Sequence, residues 1–205
     1  MGRRADHTAA ELHRMVLNAA RKIVRKEGLD ALTTRRIANS IGYTVGTLYQ
    51  HFKDSDHLIE QMNAETIDIF RARCEKVDFS KGPAASLRQL VEVYIAYNQR
   101  NRRLWNAIFD HKLPAGYQRQ EVYLVAVRRL VDVVEGAIAP LFKPNQNAAR
   151  RHDANLLWSS LYGIASLSAS QRLAKDETVL GLIDTLIEIY ISARQKKSPK
   201  SKRRA

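Results

Sequence analysis

The stretch from Thr33 to Leu58 restricts the possible fold of this chain more than any other part of its sequence. Thr33 has a hydroxyl of the kind that caps a helix N-terminus, and apolar residues at helical spacing follow it as far as Gly42. A helix that stops and turns needs a residue tolerant of positive φ at that point. Thr44 then caps a second short helix. Two short helices joined by a tight turn with glycine are typical of the helix-turn-helix unit, whose second helix enters the DNA major groove.

Helical periodicity continues through most of the chain, so the sequence predicts an all-α fold with about nine helices. There are no alternating strand patterns. A capping-box pattern over 8–11 opens the first helix, and the Gly-Pro pair at 82–83 is the predicted joint between an N-terminal head and a C-terminal body. We predict a helix-turn-helix DNA-binding domain over 8–68, with the motif at about 33–52, a regulatory and dimerisation domain over 84–195, and a basic tail over 196–205. The predicted helices of the body run roughly over 86–100, 104–109, 117–138, 148–173 and 177–195.

Composition and charge exclude several other classes. The chain has 205 residues and one cysteine, Cys74, which rules out an internal disulfide framework and the cysteine pairs of zinc sites. The polar N-terminus lacks the apolar core of a signal peptide, and no apolar run approaches the length of a membrane span. We therefore expect a cytoplasmic protein without a membrane partner. The net charge is +13, and six basic residues lie in the last ten positions, as a solvated terminus or a non-specific contact with phosphates.

Three consecutive segments between Thr33 and Leu58, T-T-R-R-I-A, I-G-Y-T-V-G-T-L-Y-Q-H-F and K-D-S-D-H-L, resemble the DNA-binding signature of the TetR family of bacterial repressors. The resemblance implies a helix-turn-helix head that binds a pseudo-palindromic operator on double-stranded DNA. It also implies a homodimer formed through the last two helices and a small-molecule effector that releases the repressor. The structural alternative is a helical hairpin that binds nothing.

The second helix of the motif predicts which residues read bases. Its exposed face needs small or flat side chains, because the helix lies deep in the groove, where a glutamine amide pairs with adenine and a methyl group contacts thymine. The predicted base-reading residues are Val45, Gly46, Thr47 and Gln50. The family resemblance implies that phosphate contacts, which fix the register on DNA, come from Thr33 with its neighbour Thr34, Arg35, Thr44, Tyr49, His51 and Lys53.

Two positions depart from the family pattern. Ser55 stands where the family usually carries lysine, so Lys53 is the expected substitute from two residues earlier. His51 stands where tyrosine is common, and it is either a phosphate donor or a surface polar group. Tyr43, where small aliphatic residues are common, is expected to pack rather than to contact bases. The basic arm over residues 2–4 either enters the minor groove or is an ordinary terminus.

The last two predicted helices carry apolar residues over more than one stripe, as a helix needs when it packs against both a core and a partner. They are therefore the expected dimer surface, as the resemblance also implies. Within them, the segment 158–163 resembles the W-x-x-x-H-G signature of one TetR subgroup, with Tyr162 in place of the histidine. The body is expected to hold an aromatic-lined chamber for a flat or apolar ligand, with core filling as the alternative for each residue. The pocket candidates are Tyr94, Tyr97, Trp105, Phe109, Tyr123, Trp158 and Tyr162.

No catalytic function, metal site or cofactor is expected. The six histidines are scattered, and neither a Ser-His-Asp pattern nor a glycine-rich phosphate loop is present. Cys74 is expected to be an inert, partly packed thiol, because a redox sensor needs exposure and a lowered pKa. The alternative to a sequence-specific regulator is a helical architectural protein that binds DNA without sequence preference through its basic tails.

Overall fold

The computed structural model describes residues 7–169, 172–174 and 176–197. Within these ranges the chain forms eight α-helices and no β-strand, which confirms the predicted all-α fold. The basic arm at residues 2–4 and the tail beyond residue 197 lie outside the described residues. The helices are α1 (Ala9–Glu27), α2 (Thr34–Ile41), α3 (Val45–Tyr49), α4 (Ser55–Cys74), α5 (Pro83–Asp110), α6 (Glu121–Ile138), α7 (Asn147–Ala169) and α8 (Val179–Lys197), with short 3₁₀ turns at Leu29–Ala31, Phe79–Lys81 and Ala139–Leu141.

Helix α5 carries a kink at a predicted helix boundary. Asn101 has φ −130° and ψ 25°, outside the helical region. Its Nδ2 donates to the carbonyl of Tyr97 at 3.0 Å, a side-chain contact that competes with the regular backbone pattern of the helix. The sequence predicts the end of one helix at residue 100 and the start of another around residue 104, and these are the two arms of α5. Counted by arms, the described residues contain nine helical segments, in agreement with the prediction.

The chain divides into two compact units. The N-terminal unit comprises the described residues of Met1–Phe70 together with Ala96–Val127. The C-terminal unit comprises Arg71–Ile95 together with the described residues of Arg128–Ala205. The helix-turn-helix therefore shares a unit with the second arm of α5 and with the loop segment 111–120, which joins α5 to α6. The domain limits given above, 8–68 and 84–195, stay a prediction.

The core of the N-terminal unit packs the first four helices against the second arm of α5. Phe52 is 2% exposed, and its ring stacks on that of His13 with 4.8 Å between the centroids. Residues far along the chain complete this core, because Leu104 and Ala107 belong to the same apolar cluster. The buried members are Leu12, Val16, Leu17, Ala20, Val24, Ile37, Ala38, Leu48, Phe52, Leu58, Met62, Leu104 and Ala107.

A buried carboxylate joins α7 to α8 in the C-terminal unit. Asp153 is 3% exposed, accepts a hydrogen bond from the Tyr190 hydroxyl at 2.8 Å, and forms a two-pronged ion pair with Arg194. Burial raises the pKa of the Tyr190 phenol, and the hydrogen bond to Asp153 adds to that shift. A carboxylate is tolerated in such a place only when it is paired and hydrogen-bonded. Asp153 therefore fixes how α8 lies along α7.

Replacing Asp153 tests the weight of this cluster. We expect Asp153→Asn to lower the free energy of unfolding by about 3–5 kcal/mol, because Arg194 loses its charged partner in a partly buried site. Asp132→Asn is the matched control, since Asp132 pairs with Arg151 at 2.7 Å with half of its side chain exposed. An exposed pair contributes at most about 1 kcal/mol. Urea unfolding followed by circular dichroism measures both variants, and equal losses would contradict the assignment.

Candidate DNA-binding surface

Local hydroxyl and backbone contacts place α2 and α3. Thr33 Oγ1 accepts a hydrogen bond from the Arg36 N–H at 3.2 Å and caps α2. Gly42 ends α2 with φ 75° and ψ 27°, the left-handed conformation that glycine adopts most readily. Thr44 Oγ1 accepts from the Thr47 N–H at 3.2 Å and caps α3. Together these contacts form the helix-turn-helix that the sequence predicts.

Helix α3 has one buried side and an exposed outer side. Leu48 is 1% exposed and anchors the helix in the core, whereas Gly46, Tyr49 and Gln50 are exposed. A Cβ added at Gly46 would meet only Thr44 Oγ1, at 3.8 Å, so the packing of the chain itself does not require glycine there. The missing side chain leaves the backbone open to a close approach from outside.

Two of the four predicted base-reading residues also have contacts inside the head. Val45 is half-buried and packs against the apolar core, and Thr47 Oγ1 lies 2.9 Å from Thr44 Oγ1. Gly46 and Gln50 are the exposed members of the set. These two are therefore more accessible from outside than Val45 and Thr47.

Several predicted phosphate contacts surround one groove of the head. Thr33 and Thr34 at the start of α2 line it together with Tyr49 at the end of α3 and Ser55 at the start of α4. The Tyr49 side chain is about half exposed. Four residues with hydroxyl groups thus line one groove beside the starts of two helices, and helix N-termini favour anionic oxygens.

The adjacent residues Arg35 and Arg36 differ in their contacts. Arg36 donates to Glu27 Oε1 at 2.8 Å and to the carbonyl of Ala31 at 3.1 Å. The hydrogen bond from Arg36 lowers the pKa of the Glu27 carboxyl. Arg36 is therefore engaged within the head, and the exposed Arg35 is the arginine of this pair that stays a DNA-contact prediction.

The residues before and after α3 differ in their burial and in their contacts. Lys53 is exposed, and its backbone N–H donates to His57 Nδ1 at 3.3 Å, whereas His51 is half-buried. Tyr43 packs against the apolar core of the head, and its hydroxyl lies 2.8 Å from His7 Nδ1. The prediction that Tyr43 packs is confirmed.

A segment outside the motif, which no sequence pattern predicts, also contacts this surface. In the loop segment 111–120, the Tyr117 hydroxyl donates to Asp54 Oδ1 at 3.3 Å, and Gln120 Nε2 donates to the His57 carbonyl at 2.9 Å. Burial, reinforced by the Asp54 carboxylate, raises the pKa of Tyr117 to about 12. The partners lie 63 residues apart in both contacts, so no local pattern connects them.

Four of the seven pocket candidates lie in the N-terminal unit. Trp105 packs edge-on against Phe70 at 4.8 Å and against Tyr97 at 5.7 Å between ring centroids, and it also contacts Phe109. Trp105 and Tyr97 are 1% and 2% exposed, and Tyr123 is also buried. In this unit the aromatic rings pack mainly against one another.

The other three candidates lie in the C-terminal unit, which contains an apolar cleft. Trp158 lines the cleft, and Tyr94 packs edge-on against Trp158 at 6.2 Å between ring centroids. Tyr162 is half-buried. The walls of the cleft are mostly aliphatic. Its lining residues are Leu87, Leu90, Val91, Val134, Leu157, Trp158, Leu161, Ile183, Leu186 and Ile187.

No group of three or more His, Cys, Asp or Glu residues is placed to hold a metal ion in the part of the chain that the structure describes. Among the same residues, no helix combines the length and apolar character needed to cross a membrane. Cys74 is 2% exposed, and burial, with a smaller effect of Glu75, raises the pKa of its thiol to about 12. The reactive thiolate is therefore scarce at neutral pH.

A capped two-helix motif whose second helix exposes glycine and glutamine defines this molecule as a helix-turn-helix DNA-binding protein. Residues 16–62 match the family described as bacterial regulatory proteins, tetR family. Residues 87–190, about half of the chain, match the tetracyclin repressor-like C-terminal domain. The chain belongs to the TetR family of bacterial transcriptional regulators.

Curated relatives match a minor part of the chain. An HTH-type transcriptional regulator of Staphylococcus aureus strain USA300 is 36% identical over 62 residues, which are 30% of this chain and 34% of the relative. An uncharacterized HTH-type transcriptional regulator of Haemophilus influenzae is 31% identical over 71 residues, 35% of this chain and 37% of the relative. The match thus spans about a third of the length of these curated relatives.

Solved structures share the fold over most of the chain. A TetR transcriptional regulator from Rhodococcus sp. RHA1 has a TM-score of 0.66 at 15% identity, over 86% of this chain and 93% of that one. FadR from Bacillus subtilis, solved in complex with stearoyl-CoA, has a TM-score of 0.60 at 13% identity, over 88% of this chain and 98% of that one. At these identities the likeness shows the fold alone.

The burial of Cys74 can be tested through the reactivity of its thiol. We expect the native protein to react with a thiol reagent at pH 8 at least about a hundredfold more slowly than the urea-unfolded chain, because burial blocks access and the raised pKa leaves little thiolate. Absorbance of the released chromophore measures both rates. Equal rates in the folded and unfolded protein would mean that the thiol is accessible.

Proposed function

We propose that this protein is a homodimeric repressor that binds a pseudo-palindromic operator and is released from it by a small molecule. The helix-turn-helix carries the proposal: α3 is capped by Thr44, anchored by Leu48, and exposes Gly46 and Gln50. One head offers few contacts for tight specific binding. Two heads related by a twofold axis read two half-sites about one helical turn of DNA apart.

Within each head, base contacts and phosphate contacts have different residues. Gln50 pairs with adenine through both groups of its amide, and Gly46 lets the backbone of α3 come close to the groove floor. Thr33, Tyr49 and Lys53 contact phosphates at the edges of the groove and fix the register. The exposure of these residues supports the assignment.

The outer face of α7 supports dimerisation through the last two helices. Leu156 and Leu167 are 53% and 45% exposed, and their spacing of about three helical turns places them on one face. Gly163 lies on the same face, where an added Cβ would meet nothing within 4 Å of the protomer. Large apolar residues around a glycine suit close contact with another helix.

Helix α8 adds a second exposed surface of the same kind. Ile189 is 64% exposed, and Thr185 and Ser192 are exposed at helical spacing beside it. An isoleucine this exposed among small residues is suited to burial against a second copy. In the proposed dimer, α7 and α8 of each protomer form a four-helix bundle with their counterparts.

Release by a ligand is proposed from the C-terminal unit. Its apolar cleft lies between α5, α6, α7 and α8, and such a lining suits an apolar molecule. One structural neighbour, FadR from Bacillus subtilis, was solved with stearoyl-CoA, and we extend binding of a small molecule to this chain. The ligand must bind the DNA-free conformation more tightly, because equal affinity for both conformations would shift nothing.

Two substitutions at the end of α3 separate base reading from phosphate contact. We expect Gln50→Ala to lose about 1–3 kcal/mol of discrimination at one base pair and so to change the preferred operator. Tyr49→Phe should weaken binding to all sequences alike, because phosphates carry no sequence information. Selection from a random DNA library, followed by competition titrations at fixed salt, measures both. An unchanged preference for Gln50→Ala would contradict the proposed reading.

The same titrations separate the repressor from a non-specific architectural protein. A sequence-specific dimer keeps its operator in excess random DNA and after removal of residues 196–205. An architectural protein would lose DNA binding when residues 196–205 are removed, and it would tolerate changes at Thr47 and Gln50.

Charged substitutions on the exposed helix faces test the dimer. We expect Gly163→Glu and Ile189→Glu to fold but to sediment as monomers at micromolar concentration, because each buries a carboxylate in the proposed interface. Leu124→Glu is the matched control, since Leu124 is 41% exposed on α6, and it should remain dimeric. Analytical ultracentrifugation measures all three, and dimers of both α7 and α8 variants would refute this interface.

A further inference from the structure

The start of α4, which follows the reading helix directly, is rich in carboxylates. Asp54, Asp56 and Glu60 lie within seven residues of one another, next to the exposed Lys53. Carboxylates at this place oppose the approach of DNA phosphates, because like charges repel. DNA binding through this edge therefore depends on how these carboxylates and Lys53 are held in place.

All three of these carboxylates have partners in the loop segment 111–120. The Tyr117 hydroxyl donates to Asp54 Oδ1 at 3.3 Å. His111 Nε2 lies 2.8 Å from Asp56 Oδ1, and the His111 side chain is only 6% exposed. Asp54 Oδ1 also accepts the N–H of His57 at 2.6 Å, which caps the first turn of α4. The loop segment thus engages the acidic side of this helix start.

Glu60 binds the loop segment most firmly. Its carboxylate is fully buried and accepts from Arg119 at 3.0 Å and from the backbone N–H of Gln120 at 2.9 Å. A buried carboxylate with two such donors is costly to separate from them. These contacts fix the end of the loop segment and, with it, the place of Tyr117.

The Tyr117 ring lies beside Lys53. The Lys53 ammonium is 6.0 Å from the centroid of the Tyr117 ring. Lysine has a long, flexible side chain, so an unrestrained ammonium group loses conformational entropy when it binds a phosphate. An aromatic face at this distance attracts a cation and limits where the side chain can lie.

We propose that Tyr117 is a positioning residue for DNA binding: from outside the helix-turn-helix domain, its ring holds Lys53 on the DNA-facing edge, and its hydroxyl bond to Asp54 helps to orient that ring. Lys53 makes the phosphate contact, and Tyr117 acts through Lys53. The N-terminal unit, with the loop segment 111–120, is then the DNA-binding module of this chain. This inference rests on the proposed binding of an operator by the head.

A double-mutant cycle on the full chain tests the inference. Lys53→Ala, Tyr117→Ala and the double variant are titrated with the selected operator over a series of KCl concentrations. Loss of one phosphate contact lowers the slope of log K against log[salt] by about 0.9. We expect Lys53→Ala to show this change, and Tyr117→Ala to weaken binding about two- to fivefold with part of the slope change. In the Lys53→Ala background, Tyr117→Ala should have no further effect.

Further variants separate the roles of ring and hydroxyl and guard against unfolding. Tyr117→Phe keeps the ring beside Lys53 and should retain the wild-type slope. Tyr117→Leu fills the site without an aromatic ring and should behave like Tyr117→Ala, so it serves if the alanine variant does not fold. Phe142→Ala is the matched control, because Phe142 lies 4.7 Å from the Arg194 guanidinium in the C-terminal unit, and its slope should not change.

The outcomes separate this inference from the proposed function. Equal effects of Tyr117→Ala in both backgrounds, with an unchanged salt slope, would assign Tyr117 a purely structural role and overturn the inference while operator binding stands. A wild-type protein that does not prefer any operator over random DNA would overturn both.

Discussion

The burial of two side chains, Leu48 and Phe52, holds the DNA-reading helix in place. Helix α3 has five residues, and a helix this short is not stable by itself in water. Leu48 is 1% and Phe52 2% exposed, and both belong to the core that α1, α2, α4 and α5 complete. The exposed residues of α3 are therefore positioned by its buried ones. The surface that α3 exposes thus depends on apolar contacts on its opposite side.

The same dependence extends along the chain beyond the motif. Leu104 and Ala107 close the core of the head from α5, and Glu60 is buried against Arg119 and Gln120 of the following loop segment. The compact unit that contains the reading helix thus includes residues that a sequence-based domain boundary assigns to the regulatory part. Contacts between distant segments are therefore part of the compact unit that carries the helix-turn-helix.

Local signals made the helix-turn-helix predictable. Thr33, Gly42 and Thr44 each act within four residues of their own position, through a cap or a left-handed turn. The kink at Asn101 had a similar local origin.

Contacts across 55–63 residues, such as those of His111 and Tyr117, left no pattern in the sequence. The sequence also did not show which aromatic residues fill a core and which line a cleft. Trp105 and Tyr97 pack in a core, whereas Trp158 lines a cleft. Burial depends on the assembled fold, and composition does not encode it.

Folding places little constraint on the residue at position 46. Its position faces outward, and an added Cβ would meet only the Thr44 hydroxyl at an ordinary contact distance. A side chain at position 46 would therefore not disturb the packing of the protein. Most residues would also stabilise the helix relative to glycine, because they have higher helix propensity. In the proposed complex, however, a side chain at this position would separate the α3 backbone from the groove floor, so DNA binding rather than folding favours glycine here.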